Sequence, residues 1–197
     1  RRFLSLAPKL LALSAAPALI RNAWAQEGGL SAKTVTIGSS FAMSGSQGGL
    51  GSGIKQGADA AIAQINAKGG VQGRQLQLQA LDDGYVPQRS VDNVKKMIND
   101  GGVFALMSCQ GTAHNAAILP LIEASGLPYL APLSGASSLR KSSSQNVFHV
   151  RASYTEETQR LVEKLVGMGI KDLAVVYMDN AFGKEILAGA GGVLGTH

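Results

Sequence analysis

Apolar positions along this chain recur in two rhythms that take turns. Short runs, continuous or of period two, stand at 34–38, 74–82, 103–107, 127–131, 147–150 and 172–177, and between them apolar residues fall three and four apart. The first rhythm predicts strands and the second amphipathic helices. In the helix predicted over 54–68, Ile54, Ala58, Ala61, Ile62 and Ile65 share a face, and Gly69 and Gly70 supply a stop. The helix predicted over 87–100 opens on Pro87 and carries Val91, Val94, Met97 and Ile98 as its stripe. Further helices follow Thr112, span 154–168 with Leu161, Val162, Leu165 and Val166 apolar, and start near 179, the last ending by about 190 in a glycine-rich stretch. Strand and helix alternating with short joints predict an α/β fold: a doubly wound parallel sheet with helices on both faces.

One junction in this series matters most. Val103 to Met107 read as a strand buried on both faces, so Ser108, Cys109, Gln110, Gly111 and Thr112 stand where a strand ends and a helix begins. At the carboxyl ends of parallel strands, unpaired helix N–H groups, a partial positive dipole and short hydroxyls converge. An anionic or zwitterionic small molecule can be held there without any catalytic group. A second polar loop over 132–140, containing Leu133, Ser134 and Gly135, follows the next strand and is predicted to face the same edge. A long Gly/Ser-rich loop is predicted over 39–53.

Composition narrows the class. Of 197 residues, 45% are apolar and 16% charged, which is globular rather than disordered, and the 25 glycines suit many tight loops. A net charge of +5 suggests nucleic acid until its distribution is considered: Arg1, Arg2, Lys9 and Arg21 precede every acidic residue, and without them the balance is +1. No nucleic-acid partner is expected. Residues 1–25 have the form of an export signal, with a basic start, an apolar run over 3–20 and Ala23-Trp24-Ala25, which places cleavage after Ala25. The alternative, a membrane anchor, needs about 20 uninterrupted apolar residues, and Lys9 with two prolines breaks the run. Arg1-Arg2-Phe3-Leu4 also resembles the twin-arginine export motif, which normally carries one residue between the arginines and the phenylalanine. Cys109 is the single cysteine, so no intrachain disulfide can form.

Catalytic patterns are weak. Gly48-Gly-Leu-Gly-Ser-Gly53 fails the dinucleotide spacing, since Ile54 or Gln56 stands where a third glycine belongs. Neither a phosphate-cradling P-loop nor a hydrolase nucleophile elbow occurs. Cys109 with His114 as base could form a nucleophilic pair, but a cysteine beside a buried strand is more often a small apolar filler. Asp82-Asp83 could hold a cation, although such a pair more often turns or caps the next segment. No metal constellation, cofactor or enzymatic activity is expected.

Several motifs together carry a resemblance. Met43-Ser44-Gly45 after the first strand, the run Ile-Asn-Ala-Lys-Gly-Gly-Val-Gln-Gly-Arg over 65–74, Leu81-Asp82-Asp83 with Pro87 behind it, and Asn-Ala-Phe-Gly over 180–183 keep a characteristic order and spacing. In these the chain resembles the branched-chain amino-acid-binding family of periplasmic solute-binding proteins, the extracytoplasmic receptors of ABC importers. The resemblance implies a type I periplasmic binding fold with two lobes that close on a ligand at a hinge. It implies a periplasmic, monomeric protein that hands a small solute to a membrane permease. The first lobe then occupies 34–150, and 151–197 begins the second. Family members run to nearly twice this length, so the resemblance also implies a C-terminally truncated copy with an unfinished second sheet and a bare edge. A ligand-sensing lobe of a receptor or amide-type regulator with the same fold is the alternative, and a nucleotide-binding enzyme a third.

The resemblance also implies site residues. Ser44, the loop from Ser108 to Thr112, and Leu133, Ser134 and Gly135 stand for the first lobe's ligand-holding positions, and Phe182 for the second lobe's tyrosine. Three departures bear on the ligand: Cys109 or Gln110 takes the first-loop serine position, Gly135 replaces a Ser/Thr, and Phe182 lacks the tyrosine hydroxyl. Each removes an oxygen that would bond an amino-acid head group. An amide, urea-like or aromatic carboxylate is therefore as well matched as leucine.

Overall fold

The computed structural model describes residues 28–140 and 144–194, and the expected export leader lies outside them. Five strands form one all-parallel sheet in the order β2-β1-β3-β4-β5: β1 Thr34–Phe41, β2 Gln75–Asp82, β3 Ala105–Met107, β4 Tyr129–Leu130 and β5 Val147–Phe148. Among the described residues six α-helices accompany them, α1 Gly48–Ala67, α2 Pro87–Asn99, α3 Thr112–Ser125, α4 Ser137–Arg140, α5 Tyr154–Gly167 and α6 Ala181–Leu194, and a short 3-10 turn, Gly45–Gln47, leads into α1. Because β2 lies on one side of β1 and β3 on the other, right-handed crossovers put α1 on one face and α2 with α3 on the opposite face. The doubly wound α/β sheet expected from the apolar rhythm is present.

The main core lies between the sheet and the α2–α3 pair. Val94 and Met97 of α2, Val103, Leu106 of β3, Ile118 and Ile122 of α3, Tyr129 of β4 and Cys109 are all buried there. Gly38 lets β1 approach this layer, since a Cβ on it would stand 2.5 Å from Met97 Sδ and 2.8 Å from Val103 Cγ1. A smaller cluster joins α5 and α6 through Val162, Ala190 and Val193.

Four expected boundaries are corrected. β1 runs on to Phe41, because the hydroxyls read as loop are consumed inside the sheet: Ser39 Oγ donates to the Met107 carbonyl at 2.5 Å and Ser40 Oγ to Asp83 Oδ2 at 2.9 Å. The helix expected from 54 starts at Gly48, where Gly48 and Gly51 are buried close against the backbone of Met43 and Ala42. Its apolar stripe is only partly covered, with Ile65 38% exposed, since α1 packs chiefly on the edge strand β2. No strand forms over 172–177. Leu173 and Val175 do turn inward onto the α5–α6 cluster and Val176 is 98% exposed, but among the described residues no strand lies alongside to pair with this segment. Finally, α6 continues through its glycines to Leu194, because Gly189 lets α5 approach: a Cβ there would sit 3.1 Å from Thr158 Cβ.

Candidate functional site

Both polar loops emerge at the carboxyl end of the sheet. An isolated parallel bridge joins Gln110 to Leu133 beyond the ends of β3 and β4, with Gly111 N–H donating to the Leu133 carbonyl at 3.3 Å and Leu133 N–H to the Cys109 carbonyl at 3.0 Å. Thr112 Oγ1 and Ser134 Oγ, 3.0 Å apart, tie the loops together through their hydroxyls. Gly111 caps α3 with a φ of 98°, and a Cβ there would fall 2.5 Å from His114 Nδ1, so this corner requires glycine. No side chain caps the start of α3, which leaves its first N–H groups without a side-chain acceptor.

Asn115 holds the first loop from below. Its Nδ2 donates to the carbonyls of Cys109 at 2.8 Å and Gly111 at 2.7 Å, and its Oδ1 accepts from the Tyr129 hydroxyl. Gln110 Oε1 accepts from Ala42 N–H at 3.1 Å, which locks the end of β1 to the same loop.

These loops form one wall of a cavity of about 390 Å³ to which Gln110, Gly111, Thr112 and Leu133 contribute. Gln47 and Leu50 from the start of α1, and Tyr85 from the turn after β2, extend that wall. The facing wall comes from Arg151, Tyr154 and Glu157 at the start of α5 and from Met178, Phe182 and Ile186. Tyr154 and Phe182 meet edge to face at 4.9 Å between ring centres. Arg151 and Glu157 pair at 2.6 Å, and those hydrogen bonds hold the Arg151 pKa above its ordinary value.

Of the residues expected at a site, Gln110, Gly111, Thr112, Leu133 and Phe182 therefore line one cavity. Ser44, Ser108, Cys109, Ser134 and Gly135 do not. Ser44 is spent on Asp82, whose Oδ2 accepts its hydroxyl at 2.5 Å while Oδ1 accepts the N–H groups of Met43 at 2.7 Å and Gly84 at 3.0 Å. Those bonds, led by the Ser44 hydroxyl, lower the Asp82 pKa to about 2. Ser108 turns in the left-handed region at a φ of 53° and its N–H joins Leu130 at 3.0 Å. Ser134 is fully buried behind Thr112, and Gly135 packs against Tyr154, whose ring would lie 2.8 Å from a Cβ there.

Cys109 faces the core, and burial pushes its thiol up to about 11. His114 instead stacks on Tyr85 at 4.5 Å, with burial holding its pKa below the usual histidine range. The two side chains serve different surroundings. Cys109 is expected to resist alkylation by a maleimide at pH 8 in the native protein and to react fully in denaturant. Native labelling at the speed of a free thiol would contradict this burial.

Asp83 is likewise structural: Oδ1 accepts Tyr85 N–H at 2.9 Å, and Oδ2 accepts Ser40 and Ser90 hydroxyls at 2.9 and 2.6 Å. Among the described residues no group of three or more His, Cys, Asp or Glu side chains is placed to hold a metal ion.

Residues 34–196 match the sequence profile of the Periplasmic binding protein family. The chain belongs to that family. A Leu/Ile/Val-binding protein homologue from Brucella melitensis is 27% identical over 161 residues, covering 77% of this chain and 40% of its own length. The solved structure of a possible leucine/isoleucine/valine-binding protein from Rhodopirellula baltica is 32% identical with a TM-score of 0.79, covering 84% of this chain and 45% of that one. A substrate-binding periplasmic protein from Ralstonia solanacearum is 31% identical with a TM-score of 0.78, covering 83% of this chain and 46% of that one. The chain spans less than half the length of each. Family and fold are those of binding proteins rather than enzymes, and no described helix is long and apolar enough to cross a membrane.

Of the facing wall, sequence reasoning placed Phe182 and missed Arg151, Tyr154, Glu157, Met178 and Ile186. Ser153-x-x-Glu156 does mark the start of α5, and the capping box forms, with Ser153 Oγ accepting Glu156 N–H at 3.1 Å and Glu156 Oε2 accepting Ser153 N–H at 2.8 Å. That signal could have placed Tyr154 and Glu157 in the first turn of a helix with Arg151 just before it, but nothing local says that this helix start faces the two loops.

Proposed function

We propose that this chain forms most of the solute cleft of an extracytoplasmic binding protein that delivers a small polar solute to the permease of an ABC importer. The lobe over 34–150 supplies the polar wall and 151–197 the first part of the second lobe. The solute is an amino acid, an amide or a related carboxylate. The protein is a monomer exported with removal of residues 1–25, and no catalytic step is involved.

One observation carries this reading: an uncapped helix start and paired hydroxyls at the rim of a parallel sheet, opposite an apolar and aromatic wall, in a cavity of about 390 Å³. The α3 N-terminus with Thr112 suits a carboxylate or amide oxygen. Leu133, Met178, Phe182 and Ile186 suit an apolar body. The Brucella and Rhodopirellula relatives, named for leucine, isoleucine and valine, point to branched aliphatic amino acids as the first solutes to try.

A thermal-shift screen of amino acids, amides and aromatic carboxylates tests the capture itself, and the absence of any stabilising solute would remove it. For a solute found in that way, Thr112→Val is expected to weaken binding by about tenfold, the loss of one good hydrogen bond. Unchanged affinity would move the anion-holding position away from Thr112.

A further inference from the structure

Tyr85 holds a backbone conformation that suits its side chain badly. It follows Gly84 in a tight turn after β2, and both residues lie in the left-handed region, at φ of 57° and 62°. Glycine enters that region freely, whereas a bulky aromatic there is an outlier. Hydrogen bonds enforce the turn: Asp82 Oδ1 accepts Gly84 N–H at 3.0 Å, Asp83 Oδ1 accepts Tyr85 N–H at 2.9 Å, and the Asp83 carbonyl accepts Val86 N–H at 3.0 Å. An asparagine at 85 would make the same turn with less strain. Strain of this kind persists where the side chain that it presents is put to use.

What this turn presents is a phenol on the cavity wall. One side of the Tyr85 ring lies on His114, 4.5 Å away between ring centres. His114 in turn packs on the loop that holds Thr112, since a Cβ on Gly111 would fall 2.5 Å from its Nδ1. The imidazole therefore sets Tyr85 one ring's thickness from the proposed anion-holding corner. Among the described residues the Tyr85 hydroxyl has no hydrogen-bond partner, whereas the Tyr129 hydroxyl in the core is bonded to Asn115. Burial raises the Tyr85 pKa, and Tyr154 on the facing wall adds to the effect, which keeps the phenol protonated and able to donate.

His114 can hold this ring only while neutral. It is 3% exposed, and neither ring nitrogen has a hydrogen-bond partner among the described residues. The titratable groups facing it are Asp83 and Tyr85, and the Asp83 oxygens are already engaged with Tyr85 N–H and the Ser40 and Ser90 hydroxyls. A proton added to the imidazole finds no acceptor there, so the charged ring is driven out of the corner.

We infer that Tyr85 is a specificity-determining residue of the cleft, its hydroxyl donating to the solute oxygen that Thr112 and the α3 N-terminus hold, with His114 behind it as a positioning residue. The inference rests on the capture reading given above and adds a second side-chain donor to the same head group.

Titration calorimetry with L-leucine, L-phenylalanine and benzoate at pH 7.5 and 5.0, on the 197-residue protein, Tyr85→Phe and Tyr85→Asn, tests it beside thermal melts of each. The expected result is that the unaltered protein binds at least one probe at pH 7.5 and that Tyr85→Phe binds it about tenfold more weakly. Tyr85→Asn loses at least as much affinity and melts no lower than the parent, because a side chain kept for binding against local strain is not one that the fold needs. Between pH 7.5 and 5.0 the unaltered protein loses about threefold or more in affinity, and Tyr85→Asn does not, having no ring left for His114 to misplace.

Equal affinity of Tyr85→Phe and the parent would overturn the contact and leave solute capture standing. So would a Tyr85→Asn variant that binds like the parent but melts several degrees lower, which would make Tyr85 a support of the fold. The same change with pH in both proteins would remove His114 from the role. Binding of none of the three probes by the unaltered protein would overturn capture and contact together.

Discussion

Replacing Asn115 by leucine is expected to cost about 3–5 kcal/mol of stability and to abolish solute binding in whatever fraction still folds. Asn115 is 1% exposed and connects three groups. Its amide nitrogen serves the carbonyls of Cys109 and Gly111, and its oxygen serves the Tyr129 hydroxyl. Leucine has the same branching but bulkier ends, and it returns nothing to these three partners: the Cys109 and Gly111 carbonyls keep only the N–H groups of Leu133 and Asn115, the Tyr129 hydroxyl keeps only its 3.4 Å contact with the Cys109 carbonyl, and the three lost bonds at about 0.5–1.5 kcal/mol each add to the cost of overpacking. Since the two carbonyls flank Gln110 in the loop that lines the cavity, the loop would relax and take the α3 N-terminus with it. Urea denaturation of the variant, read beside Asn115→Asp, which keeps the acceptor for Tyr129 but loses the two donors, checks the argument. A leucine variant as stable as the parent would mean that the loop is held by something other than this side chain.

Gly51→Ala is expected to be nearly as damaging, although it adds a single methyl group. A Cβ at Gly51 would stand 1.7 Å from the carbonyl oxygen of Ala42 and 2.5 Å from its carbonyl carbon. That obstacle is backbone and cannot rotate away. The start of α1 would have to lift off the end of β1, carrying Gln47 and Leu50 out of the cavity wall and straining the bond from Ala42 N–H to Gln110. A loss of about 3 kcal/mol or more follows, against the slight gain that the same substitution brings at an open helical site. Gly57→Ala is the control, because nothing lies within 4 Å of a Cβ there. If both alanine variants melt like the parent, the close approach of α1 to β1 is not a feature of the protein in solution.

The two cases show where the sequence was readable. Strand-to-helix junctions after 107 and 131 were legible because uninterrupted apolar runs precede them, and a parallel sheet leaves their loops no choice but the same rim. The beginning of α1 was not legible. Glycines at 48, 49, 51 and 53 look like a flexible loop until one knows that Gly51 faces the Ala42 backbone at a distance no Cβ allows and Gly48 lies tight against that of Met43. Ser39 and Ser40 were misread for a related reason: a hydroxyl near a strand end marks a loop only when it faces water, and these two face a carbonyl and a buried carboxylate.

The site divides in the same way. Gln110, Gly111, Thr112 and Leu133 could be placed because their position depends on chain direction alone. Arg151, Tyr154 and Glu157 depend on how a later helix docks, and that information lies in the packing of Tyr154 on Gly135 and Phe182 rather than in any local spacing.

The stretch over 172–177 has a practical corollary. Its backbone finds no strand to bond with among the described residues, and its last residues, Val176 and Tyr177, and Met178 after them stand 98%, 43% and 49% exposed. A peptide ribbon of that kind is adhesive toward any other extended segment, including the same ribbon on another molecule. Clumping of the 197-residue chain through this segment is therefore expected to rise with concentration, and dilute handling keeps solute titrations from reporting it instead of capture.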